Sequence, residues 1–539
     1  MYFLSLERLI TKKFKEFFFS TRFYNRLLES KIPSRFFFYP NPYLLSPFLN
    51  QKNFLIKISK DDAEDFWTNI LKDNKKNIHN FLWLNLVDRK NDSQIIQKII
   101  KEWIAKYYNY NKVIWSDNLI NLRVISWISN ADLIISSNNK KFNETFYQSL
   151  TKQINFIKKN LQNISDENKR ISAVSAIIIS GLVFREYYNN YKIGLKELKK
   201  IIENYFDKSG FPKNRNFENL VIFIQYFVLI KEWIKSGQEI VPDYLEEIIH
   251  KNLICVNSLN SPPKKLPLFN GSTDKNLDIF FEFLGKLNYI PKKNLKSVGQ
   301  FQIIKNKKSV LYFDSGEPPN YKLSKDYQSG PLSFEYSNDN NKIITNCGYG
   351  KKISRKIQFI SKFTSAQSTL CMNNTSVVKF KNNKLINKAY GSTINNSFKI
   401  FDSDRIEDKF NIILSATHNA YLDNFGYLHR RVIKFFKKNS DIFGKDFLIN
   451  KKNKTNVDFS IRFHLYPGIS TIQTISGKSI LLQINKNKSW IFSSDKQKIN
   501  VEKSLFLGGN KALNNQCIVI HGETNGEDVD IEWKLKKAS

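Results

Sequence analysis

The sequence predicts a protein of two parts, a helical half followed by an antiparallel β-sandwich. Its 539 residues exceed what one ordinary core accommodates. The spacing of its hydrophobic residues also changes once, near residues 290–297. Before that point apolar residues recur at helical spacing, and after it they alternate as in strands. We therefore expect a helical domain over residues 1–292 and a sandwich domain over residues 293–539.

The helical half contains apolar segments with recognisable ends. The segment SDNLINLRVISWISNADLIISS opens on a capping residue, Ser116 or Asp117, and then places apolar side chains on one helix face. The segment NLVIFIQYFVLIKEWIKSG ends at Gly237, and the next begins near Pro242 with acidic residues that the helix dipole favours. Successive helices with short links predict stacked helical hairpins.

The second half consists of short alternating runs separated by Asn, Gly, Ser and Lys. Examples are KSVLYFDSG, PLSFEYS, KIITNCG, DFSIRFHLYPG and CIVIHGE. Short strands with polar turns at this density predict an antiparallel sandwich.

The net charge of +35 suits a polyanionic partner. Only 14 of the 84 basic residues are arginine, however, and the lysines are spread evenly among many Asn and Ile, as an AT-rich coding bias also produces. The sequence has no arginine-rich block, zinc-finger spacing or aromatic ribonucleoprotein motif, so nucleic acid is disfavoured.

The N-terminal segment predicts an amphipathic helix. Its apolar groups are interrupted by charged residues such as Arg8, Lys12 and Glu16, which does not fit a signal peptide. Such a helix either packs on the domain or lies peripherally on a membrane surface. No run of 18 apolar residues occurs, so we expect no transmembrane segment and leave a cytoplasmic or an envelope-associated location open.

The four cysteines lie far apart without a CxxC pair, and the chain has only six histidines. A disulfide framework or thiolate metal site is therefore unsupported, and no cofactor is expected.

Several motifs of the second half occur in a characteristic order. They are VGQFQIIKNKKSVLYFDSGEPP, GPLSFEYSNDNNKIITNCG, SAQSTL, GYLHRRVIKF and IRFHLYPGI, and NLRVISWI and LFNGS add weaker matches in the helical half. This series resembles the heparinase II/III-like proteins over nearly the whole chain, most clearly over residues 298–470. The resemblance implies an α/α toroid of helical hairpins packed on a β-sandwich, and lyase chemistry on acidic polysaccharides.

The implied reaction is a β-elimination. A base removes the C5 proton of a uronic acid, a neighbouring group neutralises the carboxylate, and the glycosidic oxygen leaves. The family uses tyrosine and histidine as base and acid, with histidine or asparagine at the carboxylate. Some members also hold a structural zinc through two histidines and an aspartate.

Three positions that match the family's zinc ligands carry amides in this chain: Gln328, Asn346 and Gln367. Zinc prefers nitrogen and sulfur ligands, and an amide offers neither an imidazole nitrogen nor a thiolate. We expect the three residues to lie near one another without binding zinc. Gln328 is also a predicted substrate-binding residue.

Arg215 and Asn216, in SGFPKNRNFENL, match a loop in which such lyases often carry histidine or asparagine. Pro212 stands where the family's histidine aligns. Arg215 can neutralise a carboxylate through two parallel hydrogen bonds, and Asn216 can hydrogen-bond it, so both are predicted catalytic residues. The alternative is that Asn216 caps a helix and Arg215 lies on the surface.

His429 and Arg430, in GYLHRRVIKF, are the best-preserved chemical pair. We predict a catalytic role for His429 and substrate binding for Arg430, although neighbours in a strand point to opposite faces. A structural His429 is the alternative, and His464 is interpreted as a sandwich histidine with its hydrogen bonds satisfied. No motif selects the catalytic tyrosine, for which Tyr226, Tyr244 and other tyrosines of the helical half are candidates.

Three functions therefore follow from the sequence. The first is a lyase acting on an acidic polysaccharide. The second is a non-catalytic protein that binds acidic glycan, favoured by Gln328, Gln367 and Pro212. The third is an assembly factor at the cell envelope whose basic N-terminal helix contacts membrane.

Overall fold

The computed structural model describes residues 2–49, 66–67, 76–135, 139–260, 262–290, 293, 295–381, 383–452, 456–495 and 497–538. Helices occupy the first half and strands begin at Ser297, as the hydrophobic spacing predicts. Among these described residues, no helix combines the length and the hydropathy that crossing a membrane requires.

The helices are α1 (Tyr2–Ser20), α2 (Arg22–Leu27), α3 (Ser93–Tyr107), α4 (Asp117–Ser129), α5 (Ala131–Ile134), α6 (Lys140–Asn160), α7 (Glu167–Val183), α8 (Tyr188–Tyr205), α9 (Phe217–Ser236), α10 (Asp243–Asn257), α11 (Asp278–Lys286), α12 (Arg355–Ile360), α13 (Lys384–Tyr390) and α14 (Leu422–Phe425).

The strands are β1 (Ser297–Val298), β2 (Phe301–Lys305), β3 (Ser309–Asp314), β4 (Phe334–Asn338), β5 (Asn341–Thr345), β6 (Leu370–Met372), β7 (Ile400–Glu407), β8 (Asn411–His418), β9 (Tyr427–Phe436), β10 (Ile442–Asn450), β11 (Asp458–Leu465), β12 (Ser470–Gln473), β13 (Ser479–Asn485), β14 (Lys488–Ser493), β15 (Ile499–Phe506), β16 (Leu513–Glu523) and β17 (Val529–Lys537).

Helix ends fall where the sequence predicts them. Helix α4 begins at Asp117 with Ser116 in the N-cap position. Helix α9 ends immediately before Gly237, and α10 begins one residue after Pro242, with Asp243 and Glu246 in its first turn. The positions of these three helix ends are confirmed, although the side chain of Ser116 makes no capping hydrogen bond.

The chain divides into two compact units. The helical unit comprises Leu6–Tyr205 and Ile222–His250, and the sandwich unit comprises Met1–Ser5, Phe206–Val221 and Lys251–Ser539. The sandwich unit thus includes the loop at residues 206–216 and the segment 251–290, which precede the first strand. The predicted boundary between residues 292 and 293 stays a prediction, because residues 291, 292 and 294 lie outside the described part of the chain.

Two antiparallel sheets form the sandwich unit. One has nine strands in the order β1-β2-β3-β4-β5-β11-β16-β15, with β6 also paired to β11. The other has eight strands in the order β12-β13-β14-β17-β10-β9-β8-β7. Strands β1 and β7 each stand at the end of a sheet.

Aromatic side chains from both sheets share one hydrophobic core. The ring of Phe334 in β4 stacks on Trp533 in β17 with centroids 5.4 Å apart, and Phe463 in β11 contacts the same indole at 4.8 Å. Each fully buried aromatic side chain contributes roughly 2–3 kcal/mol to the free energy of unfolding through the burial of apolar surface. This core fixes the strands that carry several predicted site residues.

Candidate functional site

The loop at residues 207–216 is held by hydrogen bonds within itself. The carboxylate of Asp207 accepts hydrogen bonds from the backbone N–H groups of Ser209 and Phe211, each at 2.9 Å. The carbonyl of Pro212 accepts the N–H of Arg215 at 2.8 Å, so the proline supports the turn through its backbone. Arg215 has a φ of +60°, a conformation that a side chain bearing Cβ adopts rarely.

The guanidinium of Arg215 is buried and forms four hydrogen bonds within the sandwich unit. Its Nε donates to the carbonyl of Gly299 at 3.0 Å, and its Nη1 donates to the carbonyls of Gly316 and Glu317 at 3.4 and 3.2 Å. Its Nη2 forms a short ion pair with Asp314. Burial raises the pKa of Asp314, and the charge of Arg215 opposes that shift. The N–H groups of the guanidinium that form these bonds are therefore used within the protein rather than offered to a ligand.

Asn216 forms the N-cap of helix α9. Its Oδ1 accepts the N–H of Asn219 at 3.1 Å and the hydroxyl of Ser272 at 3.1 Å. Its Nδ2 donates to the carbonyl of Asn270 at 2.8 Å, and the amide of Asn270 donates back to the carbonyl of Arg215 at 3.2 Å. These contacts are those of the helix-capping alternative, and they join the turn to the LFNGS loop.

Gln328 extends the same network. Its backbone N–H donates to Asn270 Oδ1 at 3.4 Å, and its side-chain Oε1 accepts the N–H of Gly271 at 3.1 Å. Its Nε2 donates to the carbonyls of Gly348 and Ser361 at 3.2 and 2.9 Å. The structure therefore brings Arg215, Asn216 and Gln328 together around Asn270.

Gly271 is required at this junction. Its φ is +94°, and a Cβ there would lie 2.7 Å from the Cβ of Asp326 and 2.9 Å from Asn216 Nδ2. The weak LFNGS motif thus marks a position that larger residues cannot occupy without moving backbone or a buried amide.

The three amides at the zinc-type positions converge. Gln328 and Gln367 both donate to the carbonyl of Ser361, at 2.9 and 3.0 Å. Asn346 Oδ1 accepts the N–H of Ser368, the residue after Gln367, at 2.9 Å. The side-chain oxygens of Gln328 and Asn346 already accept backbone N–H groups, and amide nitrogens have no free lone pair. The residues present therefore do not fit a zinc ion.

Among the described residues, no three histidine, cysteine or acidic side chains are grouped so that they could hold a metal ion.

His429 lies in the interior between the sheets. Its Nε2 is 2.7 Å from Asp446 Oδ1 and its Nδ1 is 3.1 Å from His418 Nε2, and the side chain has no exposed surface. Burial lowers the pKa of His429, whereas Asp446 raises it. Burial, with the neighbouring charges, also holds the pKa of His418 well below its ordinary value. The catalytic role of His429 stays a prediction. The contacts of His429 described here are those expected if the residue has a structural role instead.

Arg431 is a residue that the sequence analysis missed. Its guanidinium forms two bonds to Asp446, at 2.7 and 3.1 Å, and donates to the carbonyls of Leu332 and Ser368. It stands two residues from His429 on the same strand, so the two side chains share a face, and that spacing was the available signal. Arg430 alternates to the other face, where it is half-buried, and its substrate-binding role stays a prediction.

The tyrosine candidates lie in the helical unit, and neither has the lowered pKa that a base requires. Burial raises the pKa of Tyr226. Burial also raises the pKa of Tyr244 to about 12, and its hydroxyl donates to the carbonyl of Leu195 at 3.1 Å. A deprotonated phenol is disfavoured at both positions.

A lysine cluster, which we define as Lys275, Lys351 and Lys352 around Glu218, adjoins the Asn270 network in the sandwich unit. Lys351 Nζ is 3.3 Å from Glu218 Oε2 and 3.4 Å from the carbonyl of Gly271. Burial raises the pKa of Glu218, but the three lysines together bring it below its ordinary value. Lys351 and Lys352 are exposed, so the cluster presents excess positive charge to solvent.

Lys275 differs from its neighbours. It is half-buried, and burial lowers its pKa; Glu218 opposes this, while Lys352 and Lys351 lower the pKa further. Among the residues that the structure covers, no ion pair with Lys275 Nζ is found. The lowered pKa of Lys275 makes its proton easier to release, and the two exposed ammonium groups beside it are able to bind a carboxylate.

Residues 291–534 match the family model described as Heparinase II/III-like, C-terminal. The FtsZ-localized protein C of Caulobacter vibrioides is 24% identical over 234 residues, which cover 42% of this chain and 40% of that protein. The chain thus matches less than half the length of that relative.

Solved structures of heparinases share the fold. A heparinase III gene product has a TM-score of 0.67 at 13% identity and covers 92% of this chain and 86% of its own. Another heparinase III has a TM-score of 0.66 at 12% identity, covering 85% and 76%. A mutant of the heparan sulfate lyase HepC from Pedobacter heparinus has a TM-score of 0.65 at 14% identity, covering 86% and 76%. These similarities confirm the predicted helical toroid followed by a sandwich.

Proposed function

We propose that the chain is a polysaccharide lyase acting by β-elimination on an acidic, uronate-containing polysaccharide. The premise is that the chain is a heparinase II/III-like protein by the family match of its second half and by its fold. The observation that carries the proposal is the lysine cluster beside the network of predicted site residues. A polymer with a carboxylate on its sugar rings needs cationic partners, and this cluster offers two exposed ones, Lys351 and Lys352, in the sandwich unit.

The chemistry assigned to the cluster follows from its charges. Removing the C5 proton of a uronate places developing negative charge on its carboxylate, which an adjacent ammonium group stabilises where it forms. Lys351 and Lys352 take this role, and Lys275 takes the C5 proton because its lowered pKa increases its neutral fraction. The electrons of the C5–H bond form the C4–C5 double bond, the C4–O bond breaks with its electron pair going to the oxygen, and the leaving oxygen takes a proton from water.

Arg215, Asn216 and Gln328 are positioning residues in this proposal. Asn216 bonds the backbone of Asn270 and the hydroxyl of Ser272, and Gln328 accepts the N–H of Gly271. These contacts hold the loop that leads to Lys275. His429 supports the interior of the sandwich, and Arg430 remains a predicted substrate-binding residue.

A second candidate is a protein that binds acidic glycan without cleaving it. The burial of His429 and the raised pKa values of Tyr226 and Tyr244 favour it, because the acid and base implied by the family resemblance are not prepared at these positions. In this case the lysine cluster binds the carboxylates and no bond is broken.

An envelope-associated role belongs to the same alternative. In α1, Leu6, Ile10, Phe14 and Phe17 share one face and are 39%, 59%, 67% and 70% exposed. Solvent-exposed apolar residues at helical spacing on a basic segment suit the surface of an anionic membrane. The similarity to a protein named for its localization with FtsZ supports a search for the same localization here.

The experiment that separates these functions measures cleavage and binding together. The pure protein is incubated with a panel of uronate polymers, and the absorbance of the unsaturated product is recorded beside polymer binding. Product from at least one polymer, lost in Lys275→Met while binding is kept, supports the lyase. Binding without product from any polymer supports the second candidate, and neither binding nor product from any polymer rejects both.

A further inference from the structure

A polar groove of about 480 Å³ lies at one edge of the sandwich unit, apart from the lysine cluster. Its lining comes from the start of the first sheet and from β7 of the second. The residues used below are Lys296, Gln300, Gln302, Ser315, Ser403 and Arg405. The lining is rich in hydroxyl, amide and cationic groups, whereas Ile400 supplies its apolar part.

The groove is built by contacts between the two sheet edges. Arg405 in β7 donates from Nη1 to the carbonyl of Ile303 at 2.8 Å and to that of Lys296 at 3.4 Å. Gln302 in β2 donates from Nε2 to the hydroxyl of Ser403 at 3.2 Å. Because these bonds cross between the sheets, the lining residues keep fixed separations.

One wall carries a residue in an unfavourable backbone conformation. Gln300 has a φ of +65°, its side chain is exposed, and among the described residues its amide has no hydrogen-bond partner. Its carbonyl accepts the N–H and the hydroxyl of Ser315, at 3.2 and 3.0 Å. A strained residue persists where its surroundings hold it, and such residues concentrate at binding sites.

Arg215 supports this wall of the groove through hydrogen bonds to backbone carbonyls. It bonds the carbonyl of Gly299, which precedes Gln300, and the carbonyls of Gly316 and Glu317, which follow Ser315. The buried guanidinium thus fixes the backbone of both segments that present side chains to the groove.

The lining includes two cationic side chains, Lys296 and Arg405, and one acidic side chain, Glu317. Lys296 and Lys437 each lie 2.9 Å from Glu407, and Arg405 lies 3.5 Å from it, so one carboxylate is shared by three cations. Hydrogen bonds from the two lysines lower the pKa of Glu407 to about 2, so it stays charged. The acidic lining residue, Glu317, is held by Lys399 at 3.1 Å.

We propose that this groove is a second binding site of the chain, and that it takes one or two sugar residues that carry a carboxylate. The amides and hydroxyls match sugar hydroxyl groups, and Lys296 with Arg405 matches the carboxylate. The choice of a uronate rests on the proposed function, whereas the groove itself does not. The site gives the chain a second contact with a long acidic polymer, which raises its affinity for the polymer over that for a short oligosaccharide.

The test uses trigalacturonate as the probe and the neutral maltotriose as its control. Calorimetric titrations are made on the full chain carrying Lys275→Gln and Lys351→Gln, so that the lysine cluster does not obscure the groove. We expect trigalacturonate to bind and maltotriose not to bind. Adding Lys296→Ala weakens trigalacturonate binding about tenfold, the effect of one charge-assisted hydrogen bond. Adding Ser403→Trp, which fills the groove, abolishes it.

Lys437→Ala is the matched control, because it removes the same charge and the same contact to Glu407 without touching the lining. It should change the affinity less than twofold, by about 0.4 kcal/mol at most. Equal losses in the Lys296 and Lys437 variants, or no trigalacturonate binding, overturn the groove site. Because product formation on polymer is measured separately in the otherwise unchanged chain, an active lyase without a groove site and a groove site without lyase activity are distinct results.

Discussion

Arg215 and Asp314 form a buried ion pair that ties the turn after residue 206 to the end of β3. Both side chains are at least 95% buried, and the remaining donors of Arg215 bond backbone carbonyls of two segments that line the polar groove. The pair therefore joins the predicted catalytic turn to the wall of a different site in the same unit.

The first prediction concerns the stability that this pair provides. Arg215→Ala leaves the carboxylate of Asp314 buried without its cation, which should lower the free energy of unfolding by about 3–5 kcal/mol. Denaturant unfolding measures the loss. Arg355→Ala, which removes an exposed arginine, is the control and should cost less than about 0.5 kcal/mol.

The double variant Arg215→Ala/Asp314→Ala should lose less than the sum of the two single variants, because neither charge is then left alone. Additive losses would show that the two side chains do not act as a pair.

The second prediction concerns pH and His464. This imidazole is buried against Ser504 Oγ at 3.0 Å and the carbonyl of Ser365 at 3.0 Å, and burial lowers its pKa from 6.5 to about 4. The folded chain therefore binds fewer protons than the unfolded chain between these values. Stability should be complete above pH 6.5 and fall as the pH is lowered toward 4.

Replacing His464 by Gln removes this titration. The decrease in the free energy of unfolding between pH 7 and pH 4 should become smaller by about 3 kcal/mol, whatever the stability of the variant at pH 7. An unchanged pH profile would mean that His464 has the same pKa in the folded and unfolded chain.

The third prediction concerns metal. Because Gln328, Asn346 and Gln367 are held by hydrogen bonds, adding a chelator should leave the melting temperature unchanged. The positive control is the variant with Gln328→His, Asn346→Asp and Gln367→His, which restores the residue types of a zinc site. A chelator that lowers the melting temperature of the unmodified chain would contradict the conclusion that these three amides do not hold zinc.

Much of the fold could be predicted because it depends on local patterns. The change from helical to alternating spacing was predicted near residues 290–297, and the first strand begins at Ser297. Gly237 and Pro242 mark helix ends that the structure confirms. The proximity of Gln328 and Gln367 was also predictable, because both residues stand at positions that match zinc ligands in the family motifs.

The contacts of the site could not be predicted, because they depend on strands far apart in sequence. His429 faces Asp446 only through the register of β9 against β10, and Arg215 meets Asp314 across 99 residues. Lys275 and Lys351 gave no signal, because a chain with so many evenly spread lysines does not distinguish the few that converge on one glutamate.

The central claim is that the lysine cluster binds the acidic polymer, and polygalacturonate affinity tests it most directly. The double variant Lys275→Gln/Lys351→Gln is compared with Lys307→Gln/Lys308→Gln, which removes the same charge from an exposed turn. We predict that the cluster variant binds at least about tenfold more weakly than the control variant, because it loses contacts at the site rather than net charge alone. Equal affinities of the two variants would contradict the claim.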